Sequence, residues 1–473
     1  MFAHAYAEVA VSGCPFHVKH SRLASKLRGK TMHLTRRSLL AGAAAATASL
    51  SITIRAQVLP PSGFATPSGT YPFSADVYRE RRAKLMATLK DGVAVIYGAE
   101  RERTSGPVSP PFYQSGDFAW LTGIVDEPGA VLVLAPAERT YREFLLLPSR
   151  DVETERWDVE RLPLGSLIEQ RTGIQRVRRT SGLDGLVTQL AARSRTLHFM
   201  GPITSAAAPV PPAMELYGRV MSHVPGCAMK DQSALLPALR TVKEPRELDL
   251  MRKALAATQA GHLAAMKAVR PGMTERQLTA VLEDGFRQGG GEGLSYDSIV
   301  ATGRNAASLH YAHGNSAIGA QDLVLIDAAA SVGTYACDIT RTFPASGKFT
   351  AQQRADYNLV MAAQDAAAKL LKPGVIHEDM TEAVYALFRK AGRIDEFTHG
   401  LGHFVGLDVH DAGDYAKPIP AGAVITIEPG LYNQQMNQGI RIEDLYLVTA
   451  NGCERLSTGI PRTVAEIETY MAR

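Results

Sequence analysis

The chain has 473 residues, of which 45% are hydrophobic and 21% are charged, so its composition is ordinary for a globular protein and its length predicts two domains. The formal net charge of +4 is concentrated at the start, because residues 1–56 carry eight Lys or Arg and a single Glu. The remaining chain is slightly acidic, which argues against a nucleic-acid-binding protein.

The N-terminal segment has the features of an export signal. Paired arginines, Arg36 and Arg37, precede a run of Leu, Ala, Ser and Ile that ends shortly before the small residue Ala56. This order predicts a twin-arginine signal over residues 1–56, with Met32 as the more ordinary start and the periplasm as the destination. The apolar run of roughly 17 residues is short for a bilayer span of ~20, and an uncleaved membrane anchor is the alternative.

The cysteines do not predict a disulfide framework. They lie far apart in the chain and form no CxxC pair, at Cys14, Cys227, Cys337 and Cys453. Removal of the signal leaves three, an odd number, so no disulfide framework is expected even in an oxidising compartment.

An α/β pattern follows the signal. Residues 57–73 are rich in Pro, Ser and Gly and predict a linker, and residues 74–235 then alternate helical and strand-like stretches. An amphipathic helix is expected at 77–90. Buried strands are expected in three apolar runs, at 92–99, 129–136 and 142–149. Helices that alternate with apolar strands predict a layered α/β domain.

A second domain is expected over residues 240–470, and its sequence repeats a pattern. A basic-Pro-Gly sequence ends a long predicted helix at 270–272, and another ends a long predicted helix 102 residues later, at 372–374. A capping box of Thr274 and Gln277 begins the helix after the first of them. Two such halves, each followed by strands, predict a duplicated α+β domain with pseudo-twofold symmetry and a cleft between the halves.

Two aspartates lie in the strand-like runs of residues 322–343. If this hairpin is symmetric about Val332 and Gly333, Asp327 and Asp338 face each other with their Cβ atoms ~5 Å apart. Two like charges in that arrangement are destabilising unless a positive charge lies between them. The pair therefore indicates a cation site.

Two glutamates occupy similar settings near the C-terminus. Glu428 and Glu443 each lie in a β-branched, apolar run. A carboxylate is rarely buried there unless it is paired or bound to a metal. Ion pairs with Arg341 and Arg441 are the alternative explanation.

The stretch 399–411 adds a histidine cluster. It contains three of the 13 histidines, His399, His403 and His410. Four carboxylates with a histidine suit Mn²⁺ or Co²⁺ better than a structural zinc site, which prefers thiolates and histidines. Four carboxylates exceed the needs of one ion, so bridging ligands and a two-metal centre suited to amide hydrolysis are expected.

The order of these motifs resembles that of the metal-dependent pita-bread peptidases, and most of all their aminopeptidase P group. After Asp327, the motifs are DITRTFP, HGLGHFVGLDVHD, TIEPGLY and IRIED. YQSGDFAWLTGI and RDVETERW, further upstream, resemble the companion domain of that group. The resemblance implies an N-terminal α/β domain of creatinase or ribonuclease-H type and a C-terminal α+β pita-bread domain with pseudo-twofold symmetry.

The resemblance also implies two divalent metal ions, with Mn²⁺ as the first candidate and Co²⁺ or Zn²⁺ as alternatives. Asp338 and Glu443 would bridge the ions, and Glu428 would also move a proton to the leaving amine. The full set of implied ligands is Asp327, Asp338, His403, Glu428 and Glu443.

Five residues are implied to act on the substrate. His310, His399 and His410 would contact it and take part in catalysis, with the last two around the scissile bond. Tyr432 and Arg441 match further substrate-binding positions.

The resemblance implies hydrolysis of the first peptide bond where proline is the second residue. A prolidase, which cleaves only Xaa-Pro dipeptides, shares all five ligands and is the alternative. A non-catalytic peptide-binding module on the same fold is the more remote one. The implied partners are peptides and further copies of the chain in a dimer or tetramer, without nucleic acid.

Overall fold

The computed structural model describes residues 72–101, 112–157, 161 and 163–472. The predicted signal and nearly all of the predicted linker lie outside these residues, so both stay predictions. In the part of the chain that is described, no helix combines the length and hydrophobicity needed to span a bilayer. Cys227, Cys337 and Cys453 are free thiols.

The N-terminal part contains one six-stranded sheet with helices on both faces. Its strands are β1 Val93–Tyr97, β2 Val131–Leu134, β3 Glu143–Leu147, β4 Val177–Arg179, β5 Thr196–Phe199 and β6 Ala228–Asp231. Its helices are α1 Ala75–Leu89, α2 Gly116–Thr122, α3 Val152–Trp157, α4 Ser166–Thr172, α5 Leu183–Ser194, α6 Pro212–His223 and α7 Leu235–Thr241. The strand order is β4-β3-β2-β1-β5-β6, with a mixture of parallel and antiparallel pairs.

Strand β1 shows why these strands are apolar throughout. Val93 and Val95 face the layer of α5 and α6, whereas Ala94 and Ile96 face the layer that contains α1 and α2. Because successive side chains point to opposite faces, a strand covered on both sides must be hydrophobic at every position. The predicted helix and three predicted strands are confirmed, each strand being one to two residues shorter at its ends.

The C-terminal part contains helix pairs packed on short antiparallel sheets. Its helices are α8 Pro245–Ala268, α9 Glu275–Gln288, α10 Ala351–Leu370, α11 His377–Lys390 and α12 Val464–Met471. Its strands are β7 Gly293–Leu294, β8 Ile299–Thr302, β9 Leu323–Asp327, β10 Ala330–Ser331, β11 Thr340–Pro344, β12 Val424–Ile427, β13 Gly430–Asn433, β14 Gln438–Arg441, β15 Asp444–Val448 and β16 Cys453–Arg455. The larger sheets have the orders β11-β9-β8 and β12-β15-β16.

The two helix pairs, α8–α9 and α10–α11, repeat the same turn geometry. Gly272 and Gly374 follow the first helix of each pair with φ of +91° and +93°. The N–H of Gly272 donates to Ile318 O at 2.8 Å, and that of Gly374 donates to Ile419 O at 3.0 Å. Left-handed backbone of this kind favours glycine. This equivalence confirms the predicted duplication, and with the N-terminal sheet it confirms the predicted fold class.

The hairpin that carries the two aspartates differs from the prediction in its register. Its turn lies at Gly333 and Thr334, with φ of +60° and +66°, one residue later than expected. Asp327 therefore pairs with Thr340 and not with Asp338. A two-residue loop with both φ values positive matches the twist of the flanking strands better than an ordinary turn. Because side chains along a strand alternate between the two faces of the hairpin, a shift of two residues keeps Asp338 on the same face as Asp327.

The two glutamates lie in one long hairpin that is interrupted halfway. Strands β12 and β15 pair as far as Ile427 opposite Asp444, and β13 and β14 resume at Gly430 opposite Arg441. The same register places Glu428 opposite Glu443 at the interruption. Proline has no N–H to donate to a ladder, and Pro429 follows Glu428 directly. The interruption brings both carboxylates to the same place in the fold.

Candidate metal centre and catalytic cleft

The predicted site residues line one cleft of about 870 Å³ in the C-terminal part. All ten candidates except Tyr432 lie on its wall, and the aromatic ring of Tyr432 lies behind His399. The residues on the wall are His310, Asp327, Asp338, His399, His403, His410, Glu428, Arg441 and Glu443.

The hairpins and one glycine-rich loop position the candidate ligands. Asp327 ends β9, Asp338 lies just before β11, and the backbone N–H of His403 donates to Thr426 Oγ1 of β12 at 2.9 Å. The loop runs so close to β12 that a Cβ atom on Gly402 would lie 2.2 Å from the carbonyl oxygen of Thr426. This close approach requires glycine at position 402, directly before His403.

Three side chains converge on one point. Asp338, His403 and Glu443 each offer a ligand atom, and these atoms lie within 4.8 Å of one another. His403 Nε2 lies 3.2 Å from Asp338 Oδ2 and 3.5 Å from Glu428 Oε1. One imidazole nitrogen thus faces carboxylates from both hairpins.

The cluster concentrates negative charge in a buried place. Burial and repulsion from Asp327 and Glu428 raise the pKa of Asp338 well above its ordinary value. Burial and repulsion from Asp338 likewise raise the pKa of Glu443. Burial and repulsion from Glu443 raise that of Glu428. Such mutual repulsion disfavours the ionised forms unless a cation offsets it.

The donor chemistry fits divalent cations. Glu443 Oε2 accepts a hydrogen bond from Thr340 Oγ1 at 2.7 Å, whereas Oε1 is buried and has no hydrogen-bond partner among the described residues. A buried carboxylate oxygen without a partner carries a large desolvation cost. Hard oxygen donors with one imidazole are the ligands that Mn²⁺-type ions prefer.

The ring of His403 is oriented for use of its Nε2 atom. Its Nδ1 lies 3.1 Å from the carbonyl oxygen of Phe404, which favours the tautomer with the proton on Nδ1 and the lone pair on Nε2. His410 stacks on the same ring with a centroid distance of 4.0 Å and an interplanar angle of 16°. The imidazole is therefore held from two sides.

His399 belongs to a chain of polar contacts. Its Nε2 lies 2.7 Å from Tyr432 Oη, and Arg441 Nη1 donates to the same oxygen at 2.9 Å. Burial and the charge of Arg441 lower the pKa of His399 to about 4. The imidazole is thus neutral at physiological pH, with its Nδ1 2.8 Å from Gly400 O.

His310 and His410 complete the rim of the cleft. Burial lowers the pKa of His410, and the nearby charges of His403 and His310 lower it further. The charge of His310 also contributes to the lowered pKa of His399, after burial and Arg441. The three histidines predicted to contact substrate therefore lie close enough to influence one another.

Three polar residues that contact the carboxylates were not anticipated. Tyr296 donates its hydroxyl to Asp327 Oδ1 at 2.6 Å and also contacts Asp338 Oδ1. Thr340, which holds Glu443, lies two residues after Asp338, and Thr426 lies two residues before Glu428. The strand period of two was therefore a usable signal for the threonines, whereas Tyr296 lies in a segment with no such pattern.

The alternative ion pairs proposed for the glutamates are wrong. Arg441 pairs with Asp327, and Arg341 pairs with Asp444 at 2.6 Å, whereas the only bond from Arg341 to Glu443 among the described residues goes to its backbone carbonyl, at 2.6 Å. Strand alternation explains the Arg341 pair, because Glu443 faces the cleft and its neighbour Asp444 faces the opposite side of the hairpin, where Arg341 lies.

Comparison with known proteins gives consistent matches in both halves of the described chain. Residues 249–450 match metallopeptidase family M24, and residues 78–198 match the N-terminal domain of aminopeptidase P. The Xaa-Pro aminopeptidase of Haemophilus influenzae is 32% identical over 428 residues, which cover 83% of this chain and 96% of the relative. That of Escherichia coli is also 32% identical, with coverage of 84% and 98%.

Solved structures give the same picture. Zinc-substituted Escherichia coli aminopeptidase P in complex with product superposes with a TM-score of 0.76 at 29% identity, covering 84% of this chain and 98% of that one. Aminopeptidase PepP of Pseudomonas aeruginosa superposes with a TM-score of 0.74 at 32% identity and the same coverage. One relative bears a different name: Intermediate cleaving peptidase 55 of Saccharomyces cerevisiae is 30% identical over 87% of this chain and 86% of its own length.

Proposed function

The chain belongs to the Xaa-Pro aminopeptidases of metallopeptidase family M24, and from that premise we propose that it releases the N-terminal residue from peptides with proline in the second position. The observation that carries this proposal is the convergence of Asp338, His403 and Glu443 in the histidine-lined cleft. Hard ligands and histidines around one cavity are suited to metal-assisted amide hydrolysis.

We assign the two ions of the proposal to the five converging ligands. Asp338 and Glu443 are the ligands that we propose would be shared, because each offers an oxygen within 4.8 Å of the other and of a nitrogen of His403. Divalent cations bound there act as Lewis acids that lower the pKa of water and polarise a peptide carbonyl. Mn²⁺ is proposed first because oxygen donors predominate.

The surrounding side chains supply proton transfer and orientation. Glu428 lies with Oε1 3.5 Å from His403 Nε2 and Oε2 3.9 Å from His399 Nδ1, so it can accept a proton and pass it to a leaving amine. Neutral His399, held by Tyr432 at Nε2 and by Gly400 O at Nδ1, lines the part of the cleft proposed for the scissile bond. Arg441 donates hydrogen bonds to both Asp327 and Tyr432 and so fixes the position of these two side chains relative to each other.

The space beside the cleft favours an aminopeptidase over a prolidase. A second cavity of about 770 Å³ shares Tyr296, Val409 and His410 with the cleft, and its other wall includes Gln114 and Ala119 of the N-terminal part. A dipeptide needs no such extension, whereas a longer peptide needs room beyond proline. Proline itself lacks an N–H and restricts φ, which makes the bond before it a poor substrate for ordinary aminopeptidases.

The test is hydrolysis by Mn²⁺-loaded protein of an Xaa-Pro-Xaa tripeptide, an Xaa-Pro dipeptide and a tripeptide without proline, each with and without EDTA. EDTA-sensitive release of the first residue from the proline tripeptide is expected. Cleavage of the dipeptide alone would identify a prolidase. Equal cleavage of the tripeptide without proline would contradict proline specificity and favour a broader processing role.

We also propose export by the twin-arginine route and assembly into a homo-dimer or tetramer. The support for export is the sequence of residues 35–54. Cell fractionation tests this proposal. Replacement of Arg36 and Arg37 by lysine is expected to retain the protein in the cytoplasm.

Light scattering on purified protein measures the proposed assembly into a dimer or tetramer. A monomer would contradict that proposal.

A further inference from the structure

Glu275 is a fully buried carboxylate that lies outside the cleft and takes no part in the site described above. It is the first residue of α9, and both of its oxygens are saturated with donors. Oε1 accepts from Thr302 N–H and Asn305 Nδ2, each at 2.9 Å. Oε2 accepts from Tyr311 Oη at 2.9 Å and Ser316 N–H at 3.0 Å.

All four donors belong to one short segment, residues 302–316. Beyond a 3-10 turn at Gly303–Ala307 this segment has almost no regular secondary structure. Its far end is also tied to the start of α9, because Glu275 N–H donates to Ser316 O at 3.0 Å and Arg276 N–H donates to Gly314 O at 2.8 Å. The segment is therefore a loop whose two ends and middle converge on one side chain.

This loop carries His310 on the wall of the cleft. His310 is exposed and shares the wall of the cleft with His399 and His410. No helix or strand includes His310, so its position relative to the other two histidines depends on what holds the loop. A buried carboxylate that accepts several hydrogen bonds is a strong anchor, because charge-assisted bonds are roughly twice as strong as neutral ones.

We propose that Glu275 is a positioning residue of the peptidase: it anchors residues 302–316 and thereby keeps His310 at the cleft. This inference rests on the proposed function for its catalytic part. Its structural part, the anchoring of the loop, stands on the four hydrogen bonds alone. Glu275 touches no substrate in this scheme and acts only through His310.

The test is the isosteric variant Glu275→Gln, which turns an acceptor oxygen into a donor that faces other donors. Hydrogen exchange followed by mass spectrometry is expected to show faster exchange in peptides covering residues 302–316, and unchanged exchange elsewhere. On a proline tripeptide, kcat/KM is expected to fall about tenfold or more, since a displacement of ~1 Å can cost as much as 10²-fold.

A double-mutant cycle separates positioning from a general loss of structure. In a His310→Ala background, Glu275→Gln is expected to cause no further loss of kcat/KM, because the group on which it acts is gone. Asp284→Asn, an exposed change of the same charge on the same helix, is the matched control and is expected to leave exchange and kinetics unchanged.

Unchanged exchange in residues 302–316, or a loss of kcat/KM that is equally large in the His310→Ala background, would overturn the proposal. If Glu275→Gln does not fold, Asn305→Ala removes one of the four bonds and is expected to give a smaller effect that also disappears in that background. A wild-type protein without activity on any peptide would contradict the proposed function. The hydrogen-exchange measurement would still show whether Glu275 anchors residues 302–316.

Discussion

The surroundings of Glu443 indicate a cation site in the cleft. One of its oxygens is held by Thr340, and the other is buried without a hydrogen-bond partner among the described residues. Asp338 beside it raises its pKa in addition to burial. A side chain in this state is stabilised by a positive ion at the open oxygen.

The variant Glu443→Gln keeps the shape of this side chain and removes its charge. We expect the metal content after dialysis to fall, with affinity reduced at least about 100-fold, since even groups that only support a ligand contribute 10–100-fold. Elemental analysis measures the metal, and a peptide assay measures the accompanying loss of activity. Glu454→Gln, an exposed change on β16, is the control. Unchanged metal content in Glu443→Gln would remove this residue from the ligand set.

Tyr432 connects two functional residues without lining the cleft. Its hydroxyl contacts His399 Nε2 at 2.7 Å and accepts from Arg441 Nη1 at 2.9 Å. Its role is therefore to orient the imidazole and the guanidinium, which itself holds Asp327. The hydroxyl is a small group on which three side chains depend.

In Tyr432→Phe we expect kcat to fall about tenfold, because a buried hydrogen bond of ~1 kcal/mol is lost and Arg441 keeps an unpaired donor. Steady-state kinetics on a proline tripeptide measures this effect. The matched control is Tyr357→Phe, which removes an equally short bond of 2.7 Å to Arg462 O. That variant should lose stability and keep kcat, and an equal loss of kcat in both would contradict the orienting role.

At the scale of elements, the crossing of α8 and α9 depends on two glycines. Gly261 and Gly285 face each other, and a Cβ on Gly285 would lie 2.6 Å from Gly261 Cα. A Cβ on Gly261 would lie 2.3 Å from Phe286 Cδ1 and 2.5 Å from Leu282 O. The close packing of this pair sets how α9, whose first residue is Glu275, lies against α8.

We expect Gly261→Ala to destabilise the protein by about 1–3 kcal/mol, because the helices must separate to admit the methyl group. Gly218→Ala, in α6 with no atom within 4 Å of the added Cβ, should instead stabilise it by about 0.5–1 kcal/mol. Denaturant titration of both variants measures the opposite signs. A neutral Gly261→Ala would show that the helix crossing is more adaptable than its distances indicate.

At the scale of the whole molecule, one arginine joins the N-terminal part to the loop that carries His399, His403 and His410. Arg240 of α7 pairs with Asp117 of α2 at 2.7 Å and with Asp408 at 2.7 Å, and it also contacts Asp411. Lys243 binds Asp411 from the other side at 2.8 Å. The N-terminal part is thus linked electrostatically to the segment that follows His403.

The variant Arg240→Ala is expected to lower the free energy of unfolding by about 3 kcal/mol at pH 7, because Asp117 and Asp408 lose their ion pair and buried Asp411 keeps only Lys243. Burial raises the pKa of Asp411, but Lys243 and Arg240 outweigh it and hold the value below the ordinary range. A lowered folded-state pKa contributes stability above the unfolded value of about 3.9, and this contribution is lost as the pH falls through the folded value.

The difference between wild type and Arg240→Ala should therefore be largest near pH 7 and shrink as the pH falls below about 4 and through the lowered folded-state pKa of Asp411. Denaturant titrations at several pH values measure it. Arg219→Ala breaks an exposed pair with Asp184 and should change stability by less than about 1 kcal/mol at every pH. A difference that does not vary with pH would contradict the assignment to Asp411.

Several features of this protein followed from the sequence by itself. The capping box of Thr274 and Gln277 and the helix ends before Gly272 and Gly374 were predictable, because caps and left-handed turns depend on a few neighbouring residues. Carboxylates in β-branched runs also marked the cleft without any knowledge of the fold, since the desolvation cost of a buried charge belongs to the residue itself.

Other features were decided only by the tertiary structure. The hairpin register depends on where two positive φ values are tolerated, and it turned a predicted Asp327–Asp338 pair into Asp327 opposite Thr340. The contacts of Tyr296 and Glu275 join residues that are 27 to 42 positions apart. A buried polar group takes whichever partner the packed chain brings within about 3 Å, so its partner is determined by the whole fold and not by its sequence neighbours.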